Sequence, residues 1–103
     1  MNLGELLRDA AAALPDAVVT NGPDDALTWS RAGRPFAVLG ADGSAVEFGL
    51  DSAVAAAAAR TPDVRPSARG SGWVRFQPAV VDDHGSDRAA AWFVSAHRRL
   101  GNR

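Results

Sequence analysis

The sequence contains no cysteine and no lysine. Without cysteine the chain can form no disulfide, no thiolate metal site and no cysteine nucleophile, and this composition is expected of a cytoplasmic protein. Because lysine is absent, all eleven basic residues are arginine, whose planar guanidinium can bind a carboxylate or a phosphate in a bidentate way. The N-terminal segment lacks a basic region, and the longest apolar run is short, so we expect neither a signal peptide nor a membrane partner.

The charge of the chain is uneven along its length. At 103 residues we expect a single domain over residues 1–103, with a net charge of −1 that provides no overall attraction to nucleic acid. Residues 1–59 nevertheless hold three Arg against eight Asp and Glu, whereas residues 60–103 hold eight Arg against four Asp. Any attraction for an anionic partner is therefore expected in the second half of the chain.

Three segments carry helix signals. Asn2 followed by Glu5 resembles a capping box, and apolar residues then recur at helical spacing until Pro15, which should end the helix. An alanine-rich segment at about 52–60 predicts a second helix. Aspartates at 82–87 suit the start of a last helix, which would end near Arg99 with Gly101 just beyond it.

Alternating apolar residues and turn signals predict an antiparallel sheet. The predicted strands are 17–20, 27–31, 36–39, 45–50 and 73–76. A turn is expected at 21–25, and a tight turn at 32–35 leads into the third strand. Asp42-Gly43 is a signal for a type I′ hairpin turn. The sequence therefore predicts an α+β fold, an antiparallel sheet of about five strands with helices packed on it, in the order helix–four strands–helix–strand–helix.

Several segments resemble the MmcQ/YjbR family of small bacterial proteins. The matching segments are 31–37, 46–50, 61–66, 72–74 and 91–100, which together span about residues 26–100. The resemblance implies a compact α+β domain with helices on one antiparallel sheet. It also implies the role usually attached to the family, DNA binding. These segments are signatures of a fold rather than of a catalytic centre, so the resemblance assigns no site residue.

No set of residues in the sequence forms a recognisable active site. His84 and His97 are the only histidines, and His97 has no second metal ligand three or four residues away on its helix. The aspartates near His84, which are Asp82, Asp83 and Asp87, could hold a cation only loosely and are explained by capping of the helix. Ser95 and His97 are two residues apart on a helix, so their side chains point in different directions. We therefore expect a protein that is not an enzyme and that needs no metal and no cofactor.

The connection before the last strand is the best candidate for a binding site. Its candidate anion-binding or nucleic-acid-binding residues are Arg60, Arg65, Arg69 and Arg75. Only Asp63 opposes them within this segment, and glycines at 70 and 72 allow backbone N–H groups to turn toward an anion. The alternative is structural: Pro62 and Pro66 stiffen the connection while the arginines stay solvated or pair with acids of the first half.

Two further questions concern the neighbours of this segment. Arg31, Arg34, Arg98 and Arg99 are the other arginines that can extend a patch, provided that the fold brings them together. Trp29 and Trp73 are interpreted as core anchors, although an aromatic ring beside arginine can also stack on an unpaired base.

The sequence as a whole predicts a non-enzymatic binding domain whose leading partner is nucleic acid, in particular DNA, contacted through the arginine-rich connection. The alternative is a protein-interaction module that holds a partner protein or a second copy of itself. That module would use a face of the sheet or the last helix, which carries Trp92, Phe93 and Val94 in a row.

Overall fold

The computed structural model describes residues 2–22 and 26–101, which form three helices and six strands. The elements are α1 (Leu3–Ala12), β1 (Ala17–Asn21), β2 (Leu27–Arg31), β3 (Arg34–Leu39), β4 (Val46–Gly49), α2 (Ser52–Ala58), β5 (Val64–Pro66), β6 (Trp73–Phe76) and α3 (Asp83–Gly101). The strands form one sheet in the order β1-β2-β3-β4-β6-β5, and every neighbouring pair is antiparallel. The predicted α+β class with an antiparallel sheet is confirmed.

The sheet has one strand more than predicted, because β5 lies inside the connection between α2 and β6. Its three residues pair with β6 at the edge of the sheet, with Val64 opposite Phe76 and Pro66 opposite Val74. Proline lacks a backbone donor and is therefore tolerated at such an edge. Val64 is buried, so even this short strand contributes to the core.

The starts of α1 and α3 follow the predicted capping signals, whereas Asp51 precedes α2 without a side-chain capping hydrogen bond. The Asn2 amide oxygen accepts the backbone N–H of Glu5 at 2.8 Å, and α1 ends at Ala12, before Pro15. At the start of α3, the carboxylate of Asp82 accepts the backbone N–H of Gly85 at 2.7 Å. The prediction that α3 ends before Gly101 was wrong, because Gly101 is the last residue of this helix.

The hairpin turns differ from the prediction at Asp42-Gly43. Gly43 has a φ of 74°, but Asp42 does not adopt a positive φ, so this is not a type I′ turn. The loop is longer: Gly40 donates to the carbonyl of Ala45 at 3.0 Å and accepts from Gly43 at 2.9 Å. The turn with two positive φ values is instead Ala32-Gly33, at 52° and 79°, between β2 and β3. The turn expected at 21–25 includes residues 23–25, which lie outside the described residues.

The core lies between the sheet and the helices. Helix α1 packs against α3, and α3 crosses β2, β3 and β4, while Ala58 of α2 joins the same core. Phe93 of α3 makes edge-to-face contacts with Trp29 and Phe36, at centroid distances of 5.5 and 5.0 Å. A bulge in β3 makes Phe36 an extra residue, since Trp29 pairs with Ala37 and Ser30 with Pro35.

None of the helices within residues 2–22 and 26–101 combines the length and hydrophobicity needed to cross a bilayer.

Candidate nucleic-acid interface

The sheet face turned away from α3 carries charged residues on its three last strands. On β4, Glu47 alternates with the buried Val46 and Phe48, and the latter contacts Trp92 of α3. Glu47 pairs across the sheet with Arg75 of β6, and Arg75 pairs with Arg65 of β5. Directly opposed residues in an antiparallel sheet share a face, so these three side chains form a row.

Glu47 links this row to the connection between β5 and β6. Its carboxylate accepts hydrogen bonds from the hydroxyl of Ser67 and from Nε of Arg69, the latter at 2.9 Å. Desolvation, the largest single effect, raises the pKa of Glu47. The hydrogen bonds from Ser67 and Arg69, together with the charges of nearby arginines, outweigh it and leave the pKa below its ordinary value. The carboxylate is therefore held in its ionised form.

Trp73 lies next to this row, at the start of β6. Its cross-strand neighbour is Gly49, and a Cβ atom there would lie 2.9 Å from the indole ring, so glycine makes room for it. The guanidinium carbon of Arg69 lies 5.8 Å from the indole centroid, within cation–π range. From the end of α3, Arg99 donates through Nε to the carbonyl of Gly49 at 3.2 Å. Trp73 is therefore half-buried, in contact with the backbone at Gly49 and close to the guanidinium groups of Arg69 and Arg99.

A pocket of about 420 Å³, open to solvent, surrounds this indole ring. Its lining residues, which define the Trp73 pocket, are Arg34, Pro35, Arg69, Trp73, Arg99 and Leu100. The three arginines come from the start of β3, the β5–β6 connection and the last turn of α3. Within residues 2–22 and 26–101, only Arg69 of these three forms an ion pair with a carboxylate.

A second, smaller pocket lies on the edge of the sheet beyond β6. It has a volume of about 270 Å³, and its lining residues are Asp63, Arg65, Pro66, Arg75 and Gln77. Arg65 and Arg75 are both exposed and directly opposed. Two like charges in this position repel each other, so an anion bound between them would relieve the repulsion.

The two pockets belong to one continuous surface. Arg69 lines the first pocket and donates to Glu47, and Glu47 lies directly opposite Arg75, which lines the second pocket. We call this surface the arginine strip, and its residues are Arg34, Arg65, Arg69, Arg75 and Arg99. The carboxylates of Glu47 and Asp63 lie among these arginines, and Asp42 is also within range of the charge of Arg75. The strip is thus a region of positive charge on a chain whose net charge is −1.

The structure brings three of the four candidate arginines together. Arg65, Arg69 and Arg75 belong to the strip, while Arg60 lies exposed just after α2 and lines neither pocket. Arg34 and Arg99 extend the patch from distant parts of the sequence. Trp29 is buried at 1 % exposure, as expected of a core anchor, whereas Trp73 is only half-buried and lines a pocket.

Arg31 lies outside the strip because it belongs to a separate cluster with Asp16 and His97. The Asp16 carboxylate contacts Nε of Arg31 at 2.8 Å and Nε2 of His97 at 2.5 Å. Arg31 also donates through Nη1 to the backbone carbonyl of His97 at 2.9 Å, and the same nitrogen lies 3.3 Å from Nδ1. A guanidinium can only donate, so Nδ1 accepts and Nε2–H donates to Asp16.

This cluster ties the segment before β1 to β2 and α3. The hydrogen bond with His97 is the main reason why the pKa of Asp16 lies below its ordinary value, and the charge of Arg31 adds to this effect. Because both ring nitrogens of the buried His97 are engaged, the ring has no free nitrogen for acid–base chemistry. No group of three or more His, Cys, Asp or Glu in the described ranges is placed to hold a metal ion.

No model of a known protein family matches the chain, and no curated protein sequence matches it either.

Proposed function

We propose that this protein is a non-enzymatic nucleic-acid-binding domain, with DNA as the leading partner, that contacts phosphates through the arginine strip. The observation that carries the proposal is the assembly of five arginines from separate segments on one surface. Cationic side chains that neutralise phosphates release the counterions condensed on nucleic acid, and this supplies most of non-specific affinity. Guanidinium groups also bind phosphate oxygens in a bidentate way.

The geometry favours binding over catalysis. His97 is fully engaged in the cluster with Asp16 and Arg31, and Glu47 is held ionised by its partners. An ionised carboxylate offers no proton to a substrate, and the oxygens of Glu47 already accept from Ser67 and Arg69. The strip therefore presents fixed charges and hydrogen-bond donors, which suit recognition of a polyanion.

We also propose that the protein acts in the cytoplasm as a small bacterial MmcQ/YjbR-like domain. The absence of cysteine supports the compartment. Two segments that carry the resemblance, 61–66 and 72–74, include β5 and the start of β6, next to the arginine strip.

The experiment measures binding of a labelled duplex and of a labelled single strand against salt concentration. We expect a dissociation constant below about 10⁻⁴ M at low salt, with the logarithm of the binding constant falling linearly as the logarithm of salt rises. Replacing Arg65 and Arg75 together by Ala should lower the affinity and reduce the salt slope by about 2, roughly one unit for each lost phosphate contact.

The matched control replaces Arg8 and Arg88 by Ala, because both arginines are exposed on helices outside the strip. This control changes the net charge equally and should leave the salt slope within experimental error of the wild type. Arg75 also lies near the carboxylates of Glu47 and Asp42, so thermal unfolding of both double variants checks that a loss of affinity reports binding and not unfolding. Equal effects of the two double variants, or no salt-dependent binding by the wild type, would refute the proposal.

The alternative function, a protein-interaction module, finds its support on β1 rather than on the last helix. Phe93 is fully buried and Trp92 packs against Phe48 and Phe76, so α3 turns its largest rings inward. Val18 and Val19 are 56 % and 49 % exposed on an edge strand whose outer side pairs with no described strand. Sedimentation at high concentration tests this alternative, since a strictly monomeric mass would exclude self-association through β1.

A further inference from the structure

We propose that the Trp73 pocket binds an unpaired nucleobase together with an adjacent phosphate, so that the protein prefers single-stranded nucleic acid to duplex. This inference rests on the proposed function, because it assigns the strand form that the arginine strip would hold. It adds a stacking contact to what is otherwise a purely electrostatic surface.

The first supporting observation is the apolar part of the pocket. The half-buried indole of Trp73 lies against Gly49, and Pro35 and Leu100 provide further apolar surface. Every base has a π-face, so stacking on an aromatic side chain is tolerant of sequence. The smaller pocket around Arg65 and Arg75 has no aromatic ring, so it suits a phosphate alone.

The second observation is the arrangement of cations around this apolar surface. Arg69 is tethered to Glu47 through Nε, which leaves its two terminal amino groups to donate to a phosphate. Arg34 is exposed at the start of β3, and within the described residues neither it nor Arg99 forms an ion pair. A planar base joined to an anionic phosphate matches this apolar surface with arginines beside it. The pocket volume of about 420 Å³ is in the range of ligand pockets.

The third observation is that the Trp73 pocket continues into the rest of the strip. Arg69 lines the pocket and donates to Glu47, which lies directly opposite Arg75 on the neighbouring strand. A strand whose base occupies the pocket can therefore place neighbouring phosphates along Arg75 and Arg65. In a duplex the bases are stacked on one another, so they do not reach Trp73 without unpairing. The geometry thus favours an unpaired strand over a free nucleotide and over a duplex.

The experiment compares three probes, which are oligo(dT), a duplex of the same length and free dTMP, on the wild type and on Trp73→Leu. We expect oligo(dT) to bind more tightly than either other probe. Trp73→Leu should weaken oligo(dT) binding by roughly 5- to 100-fold, the range for loss of one base stack. Its duplex affinity should change less than about twofold, because phosphate contacts supply that affinity. Arg60→Ala is the matched control, since Arg60 is exposed near the connection but outside both pockets.

Two further measurements keep the test decisive if Trp73→Leu fails to fold. Trp73→Phe retains a ring and should cause a smaller, measurable loss of oligo(dT) affinity. Oligo(dT) should also quench the indole fluorescence of the wild type, while the duplex does not. Trp29 is buried, and Trp92 packs against Phe48 and Phe76 on the side of the sheet that faces α3, so quenching that disappears in Trp73→Phe belongs to Trp73.

The outcomes separate the inference from the function on which it rests. Salt-dependent duplex binding with no preference for oligo(dT), and no effect of either Trp73 variant on oligo(dT), would overturn the inference and leave the proposed function standing. Absence of binding to both oligo(dT) and duplex would overturn both. Binding of dTMP as tight as that of oligo(dT), lost in Trp73→Leu, would overturn the inferred preference for a strand, because the pocket would then hold a free nucleotide.

Discussion

Substitution of Gly72 by Ala should destabilise the fold far more than substitution of Gly33, although both glycines have nearly the same φ. The φ values are 81° at Gly72 and 79° at Gly33, in the left-handed region that disfavours any side chain. A Cβ at Gly33 has no atom within 4 Å, whereas a Cβ at Gly72 would lie 2.4 Å from the carbonyl oxygen of Leu50. Gly72 also accepts the backbone N–H of Leu50 at 2.9 Å, so the two segments are held together.

The backbone cost is common to the two variants and cancels when they are compared. A left-handed conformation costs an L-residue roughly 1–2 kcal/mol, partly offset by about 0.4–1 kcal/mol from the reduced entropy of the unfolded chain. Gly33→Ala should therefore lose about 1 kcal/mol or less. Gly72→Ala must in addition push β6 away from Leu50, and overpacking of this kind costs about 1–3 kcal/mol.

Thermal unfolding of both variants beside the wild type measures the difference. In a domain of this size 1 kcal/mol corresponds to a Tm shift of about 4–8 °C, so Gly72→Ala should melt at least about 4 °C below Gly33→Ala. Urea unfolding gives the same comparison at one temperature. Equal Tm values for the two variants would mean that the segment before Trp73 relaxes freely, and the close approach of Gly72 to Leu50 would not be a constraint on the fold.

Two further predictions concern the charged clusters. Because the pKa of Glu47 is lowered, its ionised form stabilises the fold above the ordinary value of 4.5, and this contribution is lost as pH falls through the lower folded pKa. The difference in unfolding free energy between wild type and Glu47→Gln, measured by urea unfolding, should thus be constant near neutral pH and shrink below pH 4.5. The oligonucleotide affinity of Glu47→Gln at neutral pH should be higher than that of the wild type. A difference in unfolding free energy that does not change with pH would contradict this reasoning. His97→Phe keeps a ring against Phe36 but removes the hydrogen bonds with Asp16 and Arg31, so we expect a loss of about 1–3 kcal/mol with unchanged oligonucleotide affinity. A loss of affinity without a loss of stability would show that the cluster is part of the binding surface.

Local signals in the sequence were sufficient for most of the elements. Asn2 caps α1 and Asp82 caps α3, since the capping residue and the backbone N–H that it binds are only three positions apart. Strand β2 spans Leu27–Arg31 as predicted, because the alternation of apolar and polar residues is itself a local property. These features allowed the α+β class to be predicted before any contact was known.

Features that depend on a partner strand could not be predicted in this way. Strand β5 has only three residues, too few for a periodic pattern, and it exists because its backbone pairs with β6. The type I′ turn was predicted at Asp42-Gly43 because these two residues favour it. The loop between β3 and β4 is longer than such a two-residue turn, so a different turn forms there. The two positive φ values occur instead at Ala32-Gly33, within the tight turn that was predicted at 32–35.

The candidate site likewise has one property that the local sequence indicates and others that depend on the fold. The concentration of arginine in the second half of the chain and around residues 60–75 follows from composition. The fold keeps Arg60 apart and lets Glu47 bind Arg69. It also brings Arg34 and Arg99 together with Trp73 around one pocket. Charge density is a property of composition, whereas a binding surface requires side chains from distant segments to converge. Here the antiparallel pairing of β4 with β6 and the contact of the end of α3 with Gly49 bring these side chains together.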